Sequence, residues 1–241
     1  MFETASEPTI LVPVDLSTDE RPPAPLLELL NPVTVVLVGW YPVPDQTALE
    51  QMKDEHEEEA IESIESIADE FSAHGADVET LVVFTRDRAE TVDRVADEYG
   101  CEAILVPRDV RAVERVFVPI RGDVNLETIL SFVDSLLAES DASVTLFHAA
   151  PEGEEDPSVG EVLLRGAKDE LVEAGIESDR IDTVNLTTEA PVEAIVDAAA
   201  NHDVLIIGET EPSLVERILG DVPTQIIERS NRPVLVVRKV D

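Results

Sequence analysis

The stretch 203-DVLIIGE-209, followed by 211-EPSLVERILGDVPTQIIERS-230 and 233-PVLVVRKV-240, decides the fold of this chain. Val204 to Gly208 is an unbroken apolar run of strand length, and a corner on glycine follows it. A helical segment interrupted at Gly220 then leads into a last apolar strand, Val234 to Val237. This is a β-turn-α-β closing unit. In an open parallel sheet the corner after such a strand lies at the carboxyl ends of the strands, where ligands bind. The residues after Gly208 are therefore the first place to look for a site.

Upstream of that unit, strand and helix alternate within each of two series. Val116 to Ile120, Ala142 to Ala149 and Ile181 to Thr188 read as strands, and Asn125 to Ala138, Val159 to Ala174 and Pro191 to His202 as helices. The same series stands once more before it. Thr9 to Leu16, Thr34 to Val43, Val78 to Thr85 and Glu102 to Pro107 are strands, with helices at Leu26 to Leu30, Asp45 to His74 and Arg88 to Tyr99. Strands apolar on both faces, alternating with amphipathic helices, imply parallel βαβ units covered on both sides. The run VFVPI at Val116 echoes LVPV at Leu11, and matching elements are offset by roughly a hundred residues. The expected fold class is thus α/β, with two tandem Rossmann-like open parallel sheets: a first domain over 1–112 and a second over 113–241. After Pro107 the first copy has only a connector, so it lacks the last helix and strand. The halves are expected to pack as an intrachain pseudo-dimer.

Composition narrows the function. Acidic residues number 53 against 17 Lys and Arg, a formal charge of -36, while 44% of the residues are hydrophobic. With that apolar content the charge does not signal disorder. Only three residues are lysine, Lys53, Lys168 and Lys239, a pattern that resembles proteins of salt-accumulating halophilic archaea. Such a surface repels itself in dilute buffer and is tolerated where ions screen it. Direct binding to nucleic acid or to an anionic membrane requires a basic face, and the sequence has none. The only cysteine, Cys101, permits no internal disulfide. No apolar run approaches the ~20 residues that cross a bilayer, so a soluble, cytoplasmic protein is expected.

The openings LVPVD and FVPI, the repeated β-α-β pattern and the ending NRPVLVVR (Asn231 to Arg238) together resemble the universal stress proteins, over about residues 9 to 240. The resemblance implies an open sheet of the adenine nucleotide alpha-hydrolase-like kind and dimerisation through the final strand, here Val234, Leu235, Val236 and Val237. It also implies either ATP binding or none. ATP-binding members resemble one another in G-x-x-G, nine residues, then glycine followed by Ser or Thr, with an Asp at the end of the first strand. Glycines let the backbone approach phosphates, and amides and the hydroxyl donate to them. Here Gly208 matches, Glu211 stands for the second glycine, Gly220 follows a spacer one residue short, and Asp221 replaces the hydroxyl. Glu209, Glu211 and Asp221 would also crowd carboxylates about a polyphosphate, at a cost of about 1 to 4 kcal/mol per close pair. Mg-ATP is therefore disfavoured, and no cofactor is expected.

The remaining candidates each have a plainer use. Asp15 can contact a ribose or cap the following turn. Arg121 can hold an anion or serve Asp123, and Ser213 with Glu216 fits a capping box ahead of Gly220. The histidines are dispersed, and no catalytic triad, zinc site or P-loop is visible. The expectation is a non-catalytic universal stress protein, acting by homodimerisation or by docking to a partner. An ATP or AMP binder, with or without slow ATPase activity, is the first alternative, and a soluble regulatory module of an amino-acid or cation transporter the second.

Overall fold

The computed structural model describes residues 7–18, 20–122, 125–153, 157–209 and 221–238. The first half contains β1 (Thr9–Asp15), α1 (Ala24–Leu29), β2 (Thr34–Pro42), α2 (Leu49–Ala73), β3 (Asp77–Thr85), α3 (Arg88–Glu98) and β4 (Ala103–Val106). The second contains β5 (Arg115–Pro119), α4 (Leu126–Leu137), β6 (Ser143–Pro151), α5 (Pro157–Ala174), β7 (Ile181–Thr188), α6 (Pro191–Ala199), β8 (Val204–Gly208), α7 (Asp221–Arg229) and β9 (Val234–Val237). Every expected strand and helix in the described residues is present. Their ends move by a few residues for local reasons: α2 starts at Leu49 and not Asp45 because the Thr47 amide closes a turn on the Pro44 carbonyl, 3.0 Å.

The strands form one sheet of nine, in the order β3-β2-β1-β4-β9-β8-β5-β6-β7. Two open sheets were expected, and they are fused. Each half runs 3-2-1-4 by its own count, and all neighbours within a half are parallel. The exception is the junction, where β4 meets β9 antiparallel, with Ala103 opposite Val237 and Val106 opposite Val234. β9 is also parallel to β8. The last strand of the second half thus completes the first half, which has none of its own. A short connector suffices, because antiparallel pairing brings the end of β4 to the edge from which β5 starts.

Parallel strands are covered on both faces, and the sequence supplies the cover. One face carries a single core that runs across both halves. It joins Ile64, Ile67 and Phe71 of α2 to Leu130, Val133 and Leu136 of α4, through Leu105 and Leu235 of the central strands. On the other face each half keeps its own cluster: Val95 and Ala96 of α3 against Leu11 and Val38, and Ile195 of α6 with Ile226 of α7 against Phe117 and Ile207. Leu105 and Leu235 are wholly buried. Each contributes on the order of 1.5–3 kcal/mol of transfer free energy. The junction is therefore core, not a contact between finished domains.

Candidate site at the end of the fifth and eighth strands

In the second half the strand order reverses direction between β5 and β8, and the carboxyl ends of those strands open a cleft of about 300 Å3. Such switch points are where open α/β sheets bind ligands. Pro119, Ile120, Arg121, Gly122, Ile129, Gly208 and Glu209 line the cleft. The first half has its own reversal between β1 and β4. Because the junction is antiparallel, it opens on the opposite edge of the sheet.

The wall on the β5 side is fixed by its neighbour strand. The Ile120 amide donates to the Phe147 carbonyl at 2.7 Å, and the Ile120 carbonyl is 2.8 Å from Nδ1 of His148, a histidine only 2% exposed. This holds the backbone from which exposed Arg121 projects. Past Gly122 the chain reaches Asn125, whose φ of 58° is left-handed, a region that asparagine tolerates better than most residues. Its Nδ2 donates to the Glu209 carbonyl at 2.8 Å, tying the start of α4 to the end of β8.

The β8 side is closed from within. A Cβ on Gly208 would lie 2.5 Å from Cδ1 of Ile129, so glycine here makes room for α4. The Glu209 amide donates to the Val237 carbonyl at 2.8 Å, and Glu209 is only 4% exposed. The N–H and the carbonyl of Glu209, the residue that follows the strand, are thus both engaged by the protein itself. The Glu209 carboxylate lies 3.7 Å from Nε of Arg238, whose Nη2 donates to Asp97 at the end of α3, 2.7 Å away. The Arg238 amide donates to the Glu102 carbonyl at 2.7 Å. Arg238 therefore bridges the two halves at the rim of the cleft. Beside it, burial pushes the Glu102 carboxyl up from its ordinary range. Burial also pushes the Cys101 thiol up to about 11, with Arg238 drawing it down and Glu79 adding to the rise.

Of the residues singled out from sequence, Arg121, Gly208 and Glu209 come together in this cleft. Asp15 does not join them. It lies in the other half, where its Oδ1 accepts from the Ser17 amide at 2.9 Å and the Ser17 hydroxyl at 2.6 Å, so it caps its own turn. Glu211, Ser213, Gly220 and Asp123 lie outside the described residues, and α7 begins at Asp221. Val234 to Val237 lie in the middle of the sheet, paired on one side with β8 and on the other with β4. Their backbone edges are taken up by the junction of the halves, so no free edge is left there for a second chain. The sequence reading missed His148, Asn125 and Arg238. Only Arg238 had a signal, as the arginine that closes the apolar run of the last strand.

The universal stress protein family model matches residues 112–238. Among solved structures, a universal stress protein from Archaeoglobus fulgidus DSM 4304 is similar, with 16% identity, a TM-score of 0.66, and 98% of each chain covered. A putative universal stress protein from Pseudomonas aeruginosa UCBPP-PA14 has 13% identity and a TM-score of 0.57, over 96% of this chain and 93% of its own. These likenesses extend the fold over the first half, which the family model does not reach. A search of curated proteins gave no match. With its second half matched to the family model, and a cleft where such a sheet places one, the chain belongs to the universal stress protein family.

Proposed function

We propose that this chain acts without chemistry, as a tandem universal stress module in a salt-rich cytoplasm. It works by pairing with itself or docking to a partner, with no nucleotide at its corner. The observation that carries this reading is the backbone of Glu209. A phosphate approaching the end of β8 needs backbone N–H groups turned toward it. Here the Glu209 amide is bonded to Val237, its carbonyl is bonded to Asn125, and its side chain is a buried carboxylate. Opening that corner would break both bonds and leave the carboxylate facing a like charge. Support from the first half is similar: Asp15 is held by Ser17, and Pro107 and Arg108 follow β4 where a glycine loop would be needed. The volume of about 300 Å3 is at the lower limit of small-molecule pockets.

A thermal-shift series in molar KCl tests the proposal. Ligand at a hundred times its Kd adds about 2.7 kcal/mol to the folded state. With millimolar Mg-ATP or AMP, no change in melting temperature is expected. A rise of several degrees, absent with sulfate at equal ionic strength, would overturn it.

A further inference from the structure

The sheet has two outer strands, and they differ. β3 carries exposed carboxylates at Asp77 and Glu79. β7 carries one carboxylate, Asp182, in a chain that has 53 in 241 residues. Among the described residues β7 pairs only with β6, and its residues 182 to 187 are all exposed. Unpaired backbone along a strand of this length is a template for another strand, and charges are the usual protection against it.

The side chains of β7 show which strand fits. Asn185 lies against Gly160 of α5, so by alternation Val184 and Leu186 point to the opposite face. They are 40% and 38% exposed there, beside Phe147 and Ala149 and the apolar cluster that includes Ile195. Suppose β7 is laid antiparallel on its own copy with Asn185 opposite Asn185. Val184 then faces the second copy's Leu186, Thr183 faces Thr187, and Asp182 faces Thr188. The exposed apolar pair is covered twice, threonines meet threonines, and no carboxylate stands opposite another. Such pairs are the stabilising unit of a sheet. Charge selects the same place: two chains of -36 each can approach only where carboxylates are sparse.

We propose that β7 is a dimer edge, through which two copies of this chain pair antiparallel about a two-fold axis at Asn185. The pairing is isologous and closed, so it occupies both copies of the edge and does not propagate from it. It does not depend on whether the cleft after Gly208 takes a nucleotide.

Sedimentation in molar KCl at tens of micromolar tests this on the intact chain. The expected mass is twice the 26.3 kDa of one chain. The double variant Val184→Glu, Leu186→Glu is expected to sediment at half that mass with an unchanged far-UV spectrum, since both side chains are exposed. Asn185→Cys is expected to form a disulfide-linked dimer under mild oxidation, because opposite Cα atoms in an antiparallel pair lie about 4.5–5.5 Å apart, within disulfide range. Asp182→Cys, facing threonine, should not. Cys101 is buried and stays silent. A wild-type monomer would overturn the proposal. So would a dimer that survives the double variant, or cross-linking at 182 equal to that at 185.

Discussion

At the scale of single residues, Gly208 has a steric task. Its missing Cβ admits Cδ1 of Ile129, so Gly208→Ala is expected to cost about 1–3 kcal/mol, the usual range for overpacking. Adding Ile129→Val, which removes that Cδ1, should recover part of it, a coupling that denaturation of the single and double variants measures. Arg238 offers a second case. Removing its guanidinium leaves the buried Glu209 carboxylate without the cation 3.7 Å away, and Arg238→Met is expected to lose about 3 kcal/mol. Cys101 gives a pH signature. Its thiol rises from 9.0 to about 11 on folding, so above pH 9 the unfolded chain loses a proton that the folded chain keeps. Stability should therefore fall between about pH 9 and 11, and Cys101→Ala should remove that part of the fall. An unchanged slope would contradict it.

At the scale of elements, the junction of β4 and β9 holds the molecule together. Leu235→Ala, at a wholly buried position in the shared core, is expected to cost about 2–5 kcal/mol and to do so in one cooperative transition for both halves. A protease site placed between Asp109 and Arg111 should give a nicked chain whose two pieces still elute together, because the ladder from Ala103 to Val106 does not depend on the connector. Separation of the pieces in native buffer would refute this. The central strands were legible in the sequence because they are apolar on both faces, and the helices because residues such as Ile64, Ile67 and Phe71 repeat at helical spacing. The fusion of the sheets was not. VLVV at 234–237 reads the same whether its second edge meets solvent, another chain or β4, and the antiparallel sense of that meeting leaves no mark on either strand. Asp15 and Gly208, which match the family pattern in different copies, are put on opposite edges by the inverted halves.

At the scale of the whole molecule, the charge of -36 sets the conditions under which all of this holds. The excess carboxylates repel one another, and a Debye length of roughly 3 Å near 1 M salt removes most of that repulsion. Dialysis to low salt is expected to unfold the chain, as seen in the far-UV spectrum, and KCl to restore it. A spectrum that does not change without salt would contradict the charge argument. The cleft at the carboxyl ends of β5 and β8 is legible from topology alone. Its closure is not, since it depends on Asn125 reaching the Glu209 carbonyl and on the Glu209 amide reaching the Val237 carbonyl.

That closure is the centre of the account, and calorimetric titration of Mg-ATP into the chain in molar KCl tests it most directly. The expected result is no heat beyond dilution. A saturable isotherm with micromolar affinity, weakened by Arg121→Ala, would contradict it.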